Sequence, residues 1–156
     1  GLTSLSVEVA QELANHVGRL DLDGLTSLSP EVAQALARHV GELELDGLTS
    51  LSKEVAQALA QNQGPLTLDA VTKVTIPVAQ ALAEHQDNLD LGVLELGIGH
   101  AKAFGKHQGN LLTLFNLAGL NPKAARGLAK YPGLLVYQSD LLGKTTVEIL
   151  NDGGHF

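Results

Sequence analysis

Leucines and acids alternate, leucines then turn inward, apolar residues then step at helical spacing, and this order returns every 23 residues. The clearest run is Leu20 to Gly41, LDLDGLTSLSPEVAQALARHVG, which Leu43 to Gly64 repeats as LELDGLTSLSKEVAQALAQNQG. Gly1 to Gly18 carries the same text without its first residues. A fixed period in the range of 20 to 50 residues marks an array of stacked units.

Each unit predicts the same elements. Leu20 and Leu22 alternate with Asp21 and Asp23, the period of a half-buried strand. Gly24 ends that strand, and Leu25 and Leu28 line an inward arc. Ser29 is a helix N-cap, Pro30 suits the first helical position, and Glu31 matches the helix dipole. Val32, Ala35, Leu36 and His39 then share one helical face, and Gly41 reads as a stop. The first helix is expected over about Val7 to His16. One such unit cannot bury its single apolar stripe, whereas a stack of them can.

The pattern LxLxxLxxLs followed by xxaxxLaxh resembles a leucine-rich repeat, similar to bacterial variants with a short helical convex side. The resemblance covers nearly the whole chain. It implies an α/β fold: a right-handed solenoid of about seven short parallel strands, with short helices opposite them. The usual motif carries an Asn, Cys or Thr after the strand. Here Gly24-Leu25-Thr26 and Gly47-Leu48-Thr49 stand in that neighbourhood, and Thr26, Thr49 and Thr72 are the candidates to replace it.

The chain reads as one domain, 1-156, with repeats at about 1-23, 24-46, 47-69, 70-92, 93-115 and 116-138. The segment 139-156 reads as a partial C-terminal cap. In the fourth repeat the proline sits one place later, at Pro77. In the fifth, Leu94-Glu95-Leu96 is one residue short and Gly109-Asn110-Leu111 one residue long, so the period survives. Gly97, Gly99 and Gly105 make its helix the weakest. In the sixth, Asn121 caps, Pro122 starts the helix and Tyr131 takes the histidine position. Thr145-Thr146-Val147-Glu148 reads as a capping box for a last helix to about Leu150. The expected core is Leu22, Leu25, Leu28, Val32, Leu36 and their equivalents one period on.

Composition narrows the function classes. Seventeen acids against ten bases give a net charge of −7, which argues against nucleic acid and anionic membranes. No apolar run is long enough to span a bilayer. Cysteine is absent, so there is no disulfide framework and no thiolate chemistry. Methionine is absent too, and the text opens mid-repeat, as a fragment of a longer array would. The missing LxL strand leaves an uncapped N-terminal edge expected to allow self-association.

Three constellations invite chemistry. His16, His39 and His85, with His107 nearby, form a column that Asn62 interrupts; the bland reading is helix-end capping, and the sharp one is metal binding. Gly97 to Lys106 fails as a phosphate loop in spacing and in lacking Ser or Thr after the lysine. The third is the outward strand face: Asp21, Asp23, Glu42, Glu44, Asp46, Asp69 and Asp90, grading into Leu111, Phe115, Leu134 and Val136. Leucine-rich repeats commonly bind partners there, so the resemblance makes these the partner-binding residues. The bland reading is that the acids are a solvated face and the C-terminal tail covers the apolar end. No catalytic motif is present. The expectation is a non-enzymatic scaffold for a protein or peptide, with a basic one favoured, and with no cofactor and no metal. The alternatives are a structural spacer and the metal-binding histidine column.

Overall fold

A computed structural model describes residues 3–154. The expected arc at Gly1 and Leu2 and the last two residues of the tail lie outside them. Six strands form one parallel sheet: β1 (Leu20–Asp21), β2 (Leu43–Glu44), β3 (Leu66–Leu68), β4 (Leu89–Leu91), β6 (Leu111–Leu114) and β8 (Leu134–Tyr137), in that order. A second, two-stranded pair joins β5 (Glu95–Leu96) to β7 (Gly119–Leu120). Against the expected seven strands, the described residues hold six in the sheet and two more in this short pair, which joins the arcs of the fifth and sixth repeats.

The register repeats by 23 residues throughout: Leu20 opposes Leu43, Leu43 opposes Leu66, Leu66 opposes Leu89, Leu89 opposes Leu112, and Leu112 opposes Leu135. These leucines are buried and form one wall of the core. Helices form the other wall: α1 (Val7–Leu13), α2 (Pro30–Leu36), α3 (Lys53–Leu59), α4 (Ile76–Leu82), α5 (Ile98–Phe104) and α6 (Pro122–Leu128), each packed on the next. Alternating short helices and parallel strands make this an α/β repeat array with a single apolar core.

Each helix is short because its ends are fixed locally. The side chains of Ser6, Ser29, Ser52 and Thr75 accept from the backbone N–H three residues on, at 3.2 to 3.4 Å, and Asn121 Oδ1 does so from Ala124 at 2.9 Å. Among these six helices only α5 lacks such a bond, because its N-cap is Gly97. The helices end at Leu13, Leu36, Leu59 and Leu82, three residues earlier than the histidine positions suggested. The expected glycine stops therefore lie outside the helices. Gly41 is needed for a different reason. Its φ is 145°, and a Cβ there would strike the Gly18 carbonyl of the preceding repeat.

Burial follows the predicted columns with two corrections. Leu25, Val32 and Leu36 are buried, but Leu22 and Leu28 are only half-buried. In the fifth repeat Val93 is fully buried while Leu94 is 46% exposed, so Val93 takes the arc position. The residue lost there falls between Leu91 and Val93.

The C-terminal segment adds a short 3-10 turn (Ser139–Leu141) and α7 (Lys144–Asp152), which packs on α6. The capping box does not form. Gly143 is the N-cap and gives no side-chain bond, and Thr146 lies inside the helix, where its hydroxyl donates to Leu120 O at 3.1 Å. The helix starts at Lys144, so Thr145, the cap of the expected box, lies inside its first turn. Among the described residues no helix is long and apolar enough to cross a membrane.

Candidate functional site: the outward sheet face

Alternation along each strand sends the leucines inward and their neighbours outward. The 23-residue register then stacks the outward residues into three columns. The middle one is Asp21, Glu44, Thr67, Asp90, Thr113 and Val136. The column before it holds Arg19, Glu42, Pro65, Asn88, Leu111 and Leu134. The column after it holds Asp23, Asp46, Asp69, Gly92, Phe115 and Gln138. All eleven residues expected on this face belong to these columns. The pattern of acids had hidden Arg19, Thr67 and Thr113; counting 23 from Glu42, Glu44 and Asp90 would have found them.

Adjacent strands lie about 4.8 Å apart, so six strands span roughly 24 Å from β1 to β8. Character changes along that span. At the β1 end, carboxylates of Asp21, Asp23 and Glu44 come within 4.8 Å of one another. The Arg19 guanidinium pairs with Glu44, which is only 8% exposed. Arg19 is held even more firmly protonated by that hydrogen bond and charge. The chain thereby neutralises part of its own acidic cluster. At the far end Phe115 is 51% and Leu134 is 55% exposed, whereas Leu111 and Val136 are half-buried. The tail leaves Phe115 and Leu134 open, because α7 packs on the helix wall and not across the sheet.

The third column is partly structural. Asp23 Oδ1 accepts from the Asp46 N–H at 2.9 Å, and Asp46 Oδ1 from the Asp69 N–H at 2.8 Å. This aspartate ladder ties the loops after β1, β2 and β3 together, the role expected of Thr26, Thr49 and Thr72. Asp23 and Asp46 stand three residues nearer the strand than the threonines, within reach of the next repeat's backbone N–H. Burial, opposed by the bond from Asp69 and reinforced by the Asp23, Glu44 and Asp21 charges, raises the pKa of Asp46. Burial and then the charges of Asp46 and Asp90 raise that of Asp69.

The histidine column lies on the opposite edge, in the turn after each helix. His39 Nε2 donates to Gly18 O at 2.8 Å, Asn62 Nδ2 to Gly64 O at 2.9 Å and Gly41 O at 3.4 Å, and Tyr131 Oη to Gly109 O at 2.8 Å. These side chains bond turn carbonyls, mostly of the preceding repeat, and not the free carbonyls of their own helix. Rings stack along the column, His16 on His39 and His85 on His107 at 6.3 Å, and His107 on Tyr131 at 5.6 Å. Burial lowers the pKa of His85 and His107 and pushes Tyr131 up to about 12. His39, His85 and His107 are fully buried; His85 Nδ1 lies 3.4 Å from Ala60 O, whereas neither ring nitrogen of His107 has a hydrogen-bond partner among the described residues.

Comparison with known proteins returned no matching family model, no matching curated protein and no matching solved structure.

Proposed function

We propose that the chain is a non-enzymatic binding scaffold, an array of leucine-rich-repeat type that winds as a right-handed solenoid and presents its sheet face to a protein or peptide. The observation that carries this reading is the graded face: carboxylates at the β1 end and half-exposed Phe115 and Leu134 at the β6 and β8 end of one continuous sheet. Large apolar side chains left open on a rigid face favour a partner that covers them. Clustered carboxylates favour basic groups and set the direction in which such a partner lies. A fitting segment is extended, basic at one end and apolar at the other. About seven residues at 3.3 to 3.4 Å each cover the roughly 24 Å span.

The test is selection from a random peptide library on the wild-type chain, with the triple variant Asp21→Asn, Glu44→Gln, Asp90→Asn as comparison. The expected outcome is enrichment of basic–apolar peptides whose affinity falls about tenfold or more in the triple variant and weakens with salt. Enrichment of nothing, or of peptides indifferent to the triple variant, would count against the sheet face and in favour of a spacer.

A further inference from the structure

The helix wall changes charge from repeat to repeat. The second residue of each helix is Glu31 in α2, Glu54 in α3, Pro77 in α4, Gly99 in α5 and Lys123 in α6. Three places on, Gln34, Gln57 and Gln80 give way to Lys102 and Arg126. From 96 to 139 the sequence holds five lysines and arginines, half of the chain's ten, and no acid. These five are Lys102, Lys106, Lys123, Arg126 and Lys130. All are exposed, because Ala101 and Phe104 fill the buried stripe of α5, and Ala125 and Leu128 that of α6. Among the described residues the one ion pair joins Arg19 to Glu44, so no carboxylate of the chain pairs with these cations. The net charge of −7 conceals a basic face.

Packing gives that face a shape. Gly105 and Gly127 draw α5 and α6 together: a Cβ at Gly105 would strike the Gly127 carbonyl, and Lys102 Cγ lies 3.3 Å from where a Cβ of Gly127 would stand. Lys102 and Lys106 are spaced as helical neighbours, and so are Arg126 and Lys130, roughly 5–6 Å apart at Cβ. Between α4 and α5 the surface opens into a groove instead. Gly99 has no side chain, and Ile76 leans into that place, its Cδ1 2.6 Å from where a Cβ would be. Ile76 remains 43% exposed. Ala83 and Ala103 extend the apolar floor, Lys102 and Lys106 form one wall, and Gln80 and Glu84 form the other. The acids of α7, Glu148 and Asp152, lie beyond α6.

The occupant must satisfy both the cations and the floor. Phosphates alone would neutralise the lysines and leave Ile76 uncovered. A helix with acids four residues apart and an apolar side chain beside them meets both needs. Its ridge fits between two helices, and its carboxylates repeat at the spacing of Lys102 and Lys106.

We propose that the groove between α4 and α5 docks an acidic amphipathic helix of a partner protein, its apolar side on Ile76 and its carboxylates on Lys102 and Lys106. Lys123, Arg126 and Lys130 steer its approach. This proposal does not depend on the sheet-face reading, since the groove lies on the opposite wall.

Selection from a display library of helical peptides randomised along one face tests it, followed by fluorescence anisotropy of the recovered peptides. The expected peptides carry acids four apart beside Leu, Ile or Phe. Their affinity is expected to fall roughly tenfold or more in Lys102→Glu with Lys106→Glu, and to weaken with salt. Ile76→Ser is expected to cost about threefold or more by removing the floor. The sheet-face variant Asp21→Asn, Glu44→Gln, Asp90→Asn is expected to bind them as wild type does. Lys102, Lys106 and Ile76 are exposed, so circular dichroism should show the fold intact. Inorganic polyphosphate, duplex DNA and phosphatidylserine vesicles serve as competing anions. The proposal is overturned if no acidic helix is enriched, or if the enriched peptides ignore both the lysine and the Ile76 changes. It is also overturned if one of the competing anions binds more tightly than the peptides and does so regardless of Ile76→Ser.

Discussion

Asp46 shows how one side chain can serve the fold and work against it. It accepts the Asp69 N–H, yet it stands among Asp23, Glu44 and Asp21 with a raised pKa. An amide oxygen would accept the same bond without the charge. Asp46→Asn is therefore expected to raise stability slightly, by up to about 0.5 kcal/mol, in line with exposed charge pairs. Asp46→Ala should lower stability by about 1 kcal/mol or more by leaving the Asp69 N–H without its partner. Thermal melts of both variants at low salt check the pair. The histidines give a pH dependence of known sign. Burial depresses the pKa of His85 and His107 in the fold, although Asp87 and nearby backbone carbonyls partly offset this for His85. The unfolded chain then binds more protons below about pH 6.5, so stability is full above that value and declines as pH falls towards 5. His85→Asn copies the side chain that Asn62 already carries in this column, and it should flatten the decline. Asp46 and Asp69 act in the opposite direction, and only at lower pH, where carboxylates titrate.

At the scale of elements, burial sets how much each repeat contributes. Leu36→Ala removes a fully buried side chain between α1 and α3 and is expected to cost about 2–5 kcal/mol. Leu13→Ala is the matching change in the half-buried terminal repeat and should cost clearly less, because water already reaches that site. Denaturant unfolding of the two variants checks the difference. The 23-residue period was legible because each repeat spells strand, arc, cap and helix with its own residues, and the compensating short and long steps in the fifth repeat could be read as well. The ladder was not legible. Thr26 and Asp23 both offer a side-chain oxygen near the same loop, and only the geometry of the turn shows that Asp23 reaches the next backbone N–H. The capping box failed for a related reason. The helix starts one residue before Thr145, and Thr146 in its first turn bonds Leu120 O, on another repeat.

Across the whole molecule, stacking converts a one-dimensional text into a surface. Residues 23 apart become neighbours, and drift between repeats becomes a gradient along the sheet, from Asp21 and Glu44 to Phe115 and Leu134. The near-identical first repeats carry the acids, and the divergent fifth and sixth carry the apolar residues. The gradient was therefore visible once the period was known, whereas the exposure of Phe115 and Leu134 needed the path of α7. The binding proposal is tested most directly by titrating a basic–apolar peptide recovered by selection into the isotope-labelled chain and following backbone amide shifts. Shifts tracking the middle column at Glu44, Thr67, Asp90 and Thr113, with Phe115 and Leu134 at the apolar end, are the expected result. Shifts confined to the helices α2 to α5, with the sheet columns unmoved, would contradict the assignment of the sheet face as the binding surface.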